Sequence, residues 1–137
     1  MSDPFDIKLS PQALQQLSEL ALAHVGDAVF ELLVRSALCR SGAGTNRDLH
    51  RRSVSRVNAP AQAAFVGAIL PLLTEEETTV YKRGRNVHSH AAPKSASPGQ
   101  YARATGLETL FGWLYLTGRR ERLGELFTAG WEASDAV

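Results

Sequence analysis

Apolar residues recur at helical spacing along most of the chain, and no stretch sustains the apolar-polar alternation of a half-buried strand. Helix-end signals divide the pattern into six or seven helices. Ser10 followed by Pro11 supplies a cap and a first-turn proline for a short opening helix, and Ser18 starts a long apolar helix that runs to about Cys39. Ser41-Gly42-Ala43-Gly44 breaks it. Thr45, with Asp48 three residues on, resembles a capping box and opens a basic helix through about Val57, after which Pro60 begins another with Phe65, Ile69, Leu72 and Leu73 on one side. Thr74 and Glu77 form the Thr-x-x-Glu box of a further helix that Gly84 can end. Residues 85–97 are polar and carry no helical stripe, so a flexible basic loop is expected there. Ser97 and Pro98 then open a long helix whose buried stripe is Leu107, Leu110, Phe111 and Leu114, ending at Gly118. Leu123, Leu126 and Phe127 mark a short final helix. The fold class is all-α, in one domain spanning residues 1–137 with its core over about 14–127.

Composition leaves that picture intact. The chain has 137 residues, 44% hydrophobic and 21% charged, and a core of that size needs neither disulfides nor a structural metal. Its one cysteine, Cys39, lies beside Leu38 in an apolar run and reads as a buried reduced thiol, which points to a cytosolic setting. The opening Met1-Ser2-Asp3-Pro4-Phe5-Asp6 is acidic where a signal peptide would be basic and apolar. The apolar stretch from Leu20 to Leu38 is interrupted by His24, Asp27, Glu31 and Arg35, so no membrane span is expected.

Charge changes the picture more. The net charge is only +1, yet between Arg35 and Arg56 six arginines face a single acid, Asp48. Lys82, Arg83, Arg85, Lys94 and Arg103 form a second block, with no acid between Glu77 and Glu108. A polyanionic partner fits this distribution, and so does a solvated charged face.

Three acids stand out because their surroundings are apolar. Asp27 and Glu31 fall in the first long helix, on one face with His24 and Arg35, and Glu108 is the lone acid of the helix from Pro98 to Gly118. A buried ionised carboxylate needs a counter-charge, hydrogen bonds or a metal. Salt bridges from Glu31 to Arg35 and from Glu108 to Arg103 or another nearby arginine would satisfy that need, as would one cation held between Asp27 and Glu108 if the two helices pack together. Gly26, a poor helix former at mid-helix, suggests that a neighbour approaches the backbone closely beside Asp27.

Val25-Gly26-Asp27-Ala28-Val29-Phe30-Glu31 resembles the Leu-Gly-Asp-Ser-Val signature helix of the ribonuclease III family, and Glu108-Thr109-Leu110-Phe111-Gly112 resembles that family's second acidic helix. With Lys82-Arg83-Gly84-Arg85-Asn86 and Ala104-Thr105-Gly106-Leu107-Glu108 in the same order, the chain is similar to the Mini-ribonuclease III subfamily, a catalytic domain without a double-stranded-RNA-binding domain. The larger enzymes carry two further acids, four residues before the Asp and three before the Glu, where this chain has Ala23 and Thr105. The subfamily similarly keeps only the Asp and the Glu.

The resemblance implies a ribonuclease III-like helical bundle that cleaves double-stranded RNA using Mg²⁺ held by Asp27 and Glu108, with Glu31 reaching the metal through water. It implies a homodimer, a precursor of large-subunit (23S) ribosomal RNA as substrate, and a cytoplasmic setting, or a plastid one in a plant. Arg83, Arg85, Asn86 and Lys94 are the first candidates for RNA contact, with His50, Arg51 and Arg52 as a second surface. The competing readings are a catalytically inactive RNA-binding module of the same fold and a helical protein-interaction domain.

Overall fold

The computed structural model describes residues 3–42, 44–87 and 96–135. Among them are seven α-helices and no strand: α1 Pro11–Gln15, α2 Glu19–Arg40, α3 Asn46–Val57, α4 Ala59–Ile69, α5 Glu75–Arg85, α6 Pro98–Leu116 and α7 Arg120–Asp135. A 3₁₀ turn over Leu70–Leu72 joins α4 to α5.

The polar punctuation of the sequence is what starts these helices. Ser10, Ser18, Thr45, Asn58, Thr74 and Ser97 each accept a hydrogen bond from a backbone N–H three residues on, satisfying one donor left open in the first turn. At Thr74 and Ser97 the box is reciprocal, with Glu77 and Gln100 accepting in return from the cap N–H. At Thr45 only half of it forms, because the Asp48 carboxylate turns to Arg51 instead.

Helix α6 is the axis of the molecule. Leu107, Leu110, Phe111 and Leu114 are all fully buried, and α2, α4, α5 and α7 pack around them. Helix α2 contributes Leu22, Gly26, Phe30, Val34 and Leu38, an inner stripe repeating every four residues. Phe30, Phe65 and Phe111 meet edge to face at the centre, with centroids 5.1–6.2 Å apart, and Phe127 of α7 closes the group. Each ring removed from water contributes on the order of 2 kcal/mol.

The structure corrects several expectations. Cys39 is exposed, because Leu38 takes the inward position at that turn of α2 and leaves its neighbour facing out. The α4 stripe ends at Ile69, since Pro71 tightens the chain into the 3₁₀ turn and leaves Leu72 exposed. Helix α5 continues past Gly84 to Arg85, and the final helix has 16 residues. The rest of the expected flexible loop, residues 88–95 including Lys94, lies outside the described residues.

Candidate active site

The site begins with two glycines. Gly26 of α2 lies against the backbone of Glu108 and Gly112 in α6, and Gly112 lies against the backbone of Leu22, with no room for a Cβ at either position. The two longest helices therefore cross at backbone contact, and the residues beside the glycines, Asp27 and Glu108, are brought together across the crossing.

Their surroundings differ from the expectation of two buried acids. Asp27 is exposed at the rim, because α2 turns its Leu22-to-Leu38 stripe inward and presents Leu20, His24, Ala28 and Leu32 to solvent. Glu108 is the enclosed member. Burial first, and then the hydrogen bond and charge of Asp27, push its carboxyl up to about 8. Among the described residues no lysine or arginine forms an ion pair with either acid, so the expected Glu108–Arg103 bridge is not made. Glu31, one turn beyond Asp27, is engaged by Arg35 at 3.0 Å.

A third polar side chain meets Glu108, and sequence reasoning missed it. Gln62 of α4 is 2% exposed, and its amide favours the charged form of Glu108 against the burial and the Asp27 carboxylate that oppose it. Its Nε2 nevertheless closes no hydrogen bond. The available signal was that Gln62 is the one polar residue in Ala59–Ile69.

No group of three or more His, Cys, Asp or Glu with metal-ligand geometry occurs among the described residues. Two carboxylates without a counter-ion and a carboxamide are nonetheless hard oxygen and dipolar groups that fit Mg²⁺, which completes its octahedron with water and substrate phosphate. Positions 23 and 105 cannot add ligands. Ala23 and Thr105 are buried, and the Thr105 hydroxyl donates to the Tyr101 carbonyl in its own helix at 3.1 Å.

The basic candidates divide into two places. Gly84 packs against Gly106 and Thr109, which flank Glu108 in α6, so the Arg83-Gly84-Arg85-Asn86 end of α5 is docked beside the segment that carries the acid. Arg83 is exposed, and Arg85 donates to the Asn86 side chain at 3.1 Å and lies over the Tyr81 ring. His50 lies in a groove with Arg35 and Cys39, roughly 12–18 Å along α2 from Asp27 at 1.5 Å per residue. Arg51 and Arg52, on α3 with His50, are drawn to Asp48. The structure thus brings one basic cluster to the α6 segment and leaves the other toward the far end of α2.

The profile of one family, "Ribonuclease III domain", matches residues 20–119 of this helical bundle. The chain is 49% identical over 113 residues to a Mini-ribonuclease 3 of Symbiobacterium thermophilum, covering 82% of this chain and 87% of the relative. It is 47% identical to that of Enterococcus faecalis, covering 82% and 86%, and 46% identical to that of Synechocystis sp., covering 83% and 78%. A crystal structure of a Fusobacterium nucleatum protein superposes with a TM-score of 0.78 at 28% identity, covering 88% of this chain and 97% of that one. The chain belongs to the ribonuclease III family of endoribonucleases, in its Mini-ribonuclease 3 branch.

Proposed function

We propose that this chain hydrolyses phosphodiester bonds in double-stranded RNA at the Asp27–Glu108 site, with Mg²⁺ as cofactor. The observation that carries the proposal is the pair itself: two carboxylates from different helices, one of them enclosed, facing each other with no lysine or arginine among the described residues ion-paired to either. Left without a cation, Glu108 holds its proton up to about 8, first because it is buried and then because it meets Asp27. Asp27 and Glu108 would hold Mg²⁺, and Glu31, steered by Arg35, would orient water at the rim. Mg²⁺ bound there supplies positive charge opposite the attacked phosphate and makes a neighbouring water more acidic. Water adds to phosphorus and the bond to the 3′ oxygen breaks. That oxygen leaves with a proton, giving a 3′-hydroxyl and a 5′-phosphate.

In this reading the catalytic domain itself holds the duplex through its basic side chains. Arg83, Arg85 and Asn86 at the end of α5, together with Lys94, are suited to phosphates and 2′-hydroxyls flanking the site, and His50, Arg51 and Arg52 to a more distant contact. One site cuts one strand, so a two-fold dimer is required for a double cut. The groove lined by Phe5, His24, Val25, Ala28, Val29, Leu32 and Tyr115, in which Phe5 and Leu32 are largely exposed, supports the outer face of α2 as that interface. A bacterial cytoplasm and a paired precursor of large-subunit (23S) ribosomal RNA are the setting and substrate that the family relationship favours. No described helix is long and apolar enough to cross a membrane.

The second reading, a binding module that no longer cuts, is favoured by Ala23 and Thr105, which leave two acids where the larger enzymes have four. A cleavage assay on a long RNA duplex separates the two. The expected result is cutting that needs Mg²⁺, stops with chelator, and is lost in folded Asp27→Asn and Glu108→Gln. Salt-sensitive duplex binding without cutting would overturn the catalytic reading.

A further inference from the structure

Gln62 is the structure's most conspicuous unmet polar group near the two acids. Helix α4 is otherwise apolar, and its neighbours Ala63, Phe65, Val66 and Ile69 are buried in the core. A glutamine there forfeits the hydration of a carboxamide and recovers no hydrogen bond at Nε2, where a leucine or methionine would pack at no such cost. Native structures carry few such groups, and each one calls for a physical reason. Here the side chain is directed at the enclosed carboxylate of the site, from the third helix that packs on α6.

We propose that Gln62 is a positioning residue: its amide donates to one oxygen of the Glu108 carboxylate, so that the other is presented toward Asp27 and a divalent cation between them. This rests on the metal-dependent reading above. Glu108 has no other donor among the described residues, and the positions one turn before Asp27 and three residues before Glu108, Ala23 and Thr105, offer it none. The donor must therefore come from another helix, and α4 supplies it through a side chain whose solvent-shielded amide has no competing acceptor. When the cation is bound and Glu108 is charged, the hydrogen bond closes and is charge-assisted, about twice the strength of a neutral one. A carboxylate fixed in this way loses less rotamer freedom on binding a metal, and partners of this kind typically change metal affinity by about 10- to 100-fold.

The test uses Mn²⁺ alone, titrated by electron paramagnetic resonance into the full chain without RNA, alongside thermal unfolding. Gln62→Met keeps the length of the side chain and removes the donor. Its expected outcome is an unchanged or raised Tm with Mn²⁺ affinity about tenfold weaker. Val66→Ala, one turn along the same helix, is the packing control, expected to lower Tm and leave Mn²⁺ affinity within about twofold. Wild-type affinity in Gln62→Met, with binding lost in Glu108→Gln, would overturn the role of Gln62 and leave the metal site standing. A wild-type chain that binds no Mn²⁺ would overturn both. Should Gln62→Met fail to fold, Gln62→Leu replaces it, and the same affinity criterion decides.

Discussion

Two glutamates, Glu77 and Glu108, are each enclosed in this bundle, and their surroundings make them opposites. Glu77, 3% exposed at the start of α5, accepts from the Thr74 N–H at 2.9 Å and from Arg122 of α7 through Nε at 2.8 Å and a terminal guanidinium nitrogen at 2.9 Å. Arg122 is itself completed by the Leu72 carbonyl and Glu125. The hydrogen bonds from Arg122 outweigh burial and hold Glu77 below the usual carboxylate range. Glu108 is less enclosed, yet it faces a second acid and a glutamine that completes no bond, and its carboxyl is pushed the other way, up to about 8. Depth therefore does not separate a structural acid from a functional one. What separates them is whether the protein supplies the partner or leaves that place to a ligand.

The largest effect comes from forcing the α2–α6 crossing apart. Gly26→Ala places a methyl group inside the Glu108 carbonyl and against the Gly112 N–H, and neither backbone can yield without moving a whole helix. A loss of about 4 kcal/mol or more in urea unfolding is expected, although alanine is the better helix former by about 1 kcal/mol. Wild-type stability in Gly26→Ala would refute the backbone contact that sets Asp27 against Glu108.

Neutralising each acid should then give opposite signs. Glu77→Gln leaves the Arg122 charge half-satisfied between α5 and α7 and is expected to cost about 2–3 kcal/mol. Glu108→Gln, measured without divalent metal, removes an acid that must be desolvated or protonated on folding and is expected to be neutral or stabilising by about 1 kcal/mol. Equal losses in both would mean that Glu108 is a structural acid after all.

The pH dependence follows the same division. Glu77 has a lowered folded pKa, so its contribution is complete above the ordinary value of 4.5 and is lost as pH falls through that lowered pKa. Glu108 has a raised one. The folded metal-free chain keeps its proton up to about 8 while the unfolded chain releases it near 4.5, so stability declines as pH rises between those values and levels off above them. Urea unfolding across that window should show a slope of at most about 1.4 kcal/mol per pH unit, absent in Glu108→Gln and flattened by excess Mg²⁺. A flat wild-type profile without metal would contradict the environment assigned to Glu108.

Much of this was legible in the residues. Caps at Ser10, Ser18, Thr45, Thr74 and Ser97 start helices where local chemistry requires, and the α6 stripe follows from spacing alone. The approach of Asp27 to Glu108 was anticipated from two acids in apolar helices beside glycines. Burial within α2 was less legible, because apolar residues occur on more than one side and only tertiary packing chooses the inner stripe. Asp27, Leu32 and Cys39 face out for that reason. The last helix runs well beyond the Leu123, Leu126 and Phe127 that marked it, and Gly130 does not break it. Gly130 is instead a contact residue, with the Phe65 ring lying where its side chain would be. Gln62 and Arg122 escaped because their partners are 46 and 45 residues away, beyond any local pattern.

The smallest effect is the control that sharpens the contrast. Glu76 is adjacent to Glu77 and also meets an arginine, Arg119, at 2.9 Å, but its side chain is 62% exposed and that of Arg119 is 42% exposed. Water already solvates both charges, and Arg119 keeps its place over the Trp113 ring, 4.3 Å from the centroid, whether or not the acid is present. Glu76→Gln is therefore expected to change unfolding free energy by less than about 0.5 kcal/mol, and less still at high salt. A loss comparable to that of Glu77→Gln would mean that the charge pairs along this edge act as one network, so that the stability of Glu77 could no longer be credited to its enclosure with Arg122.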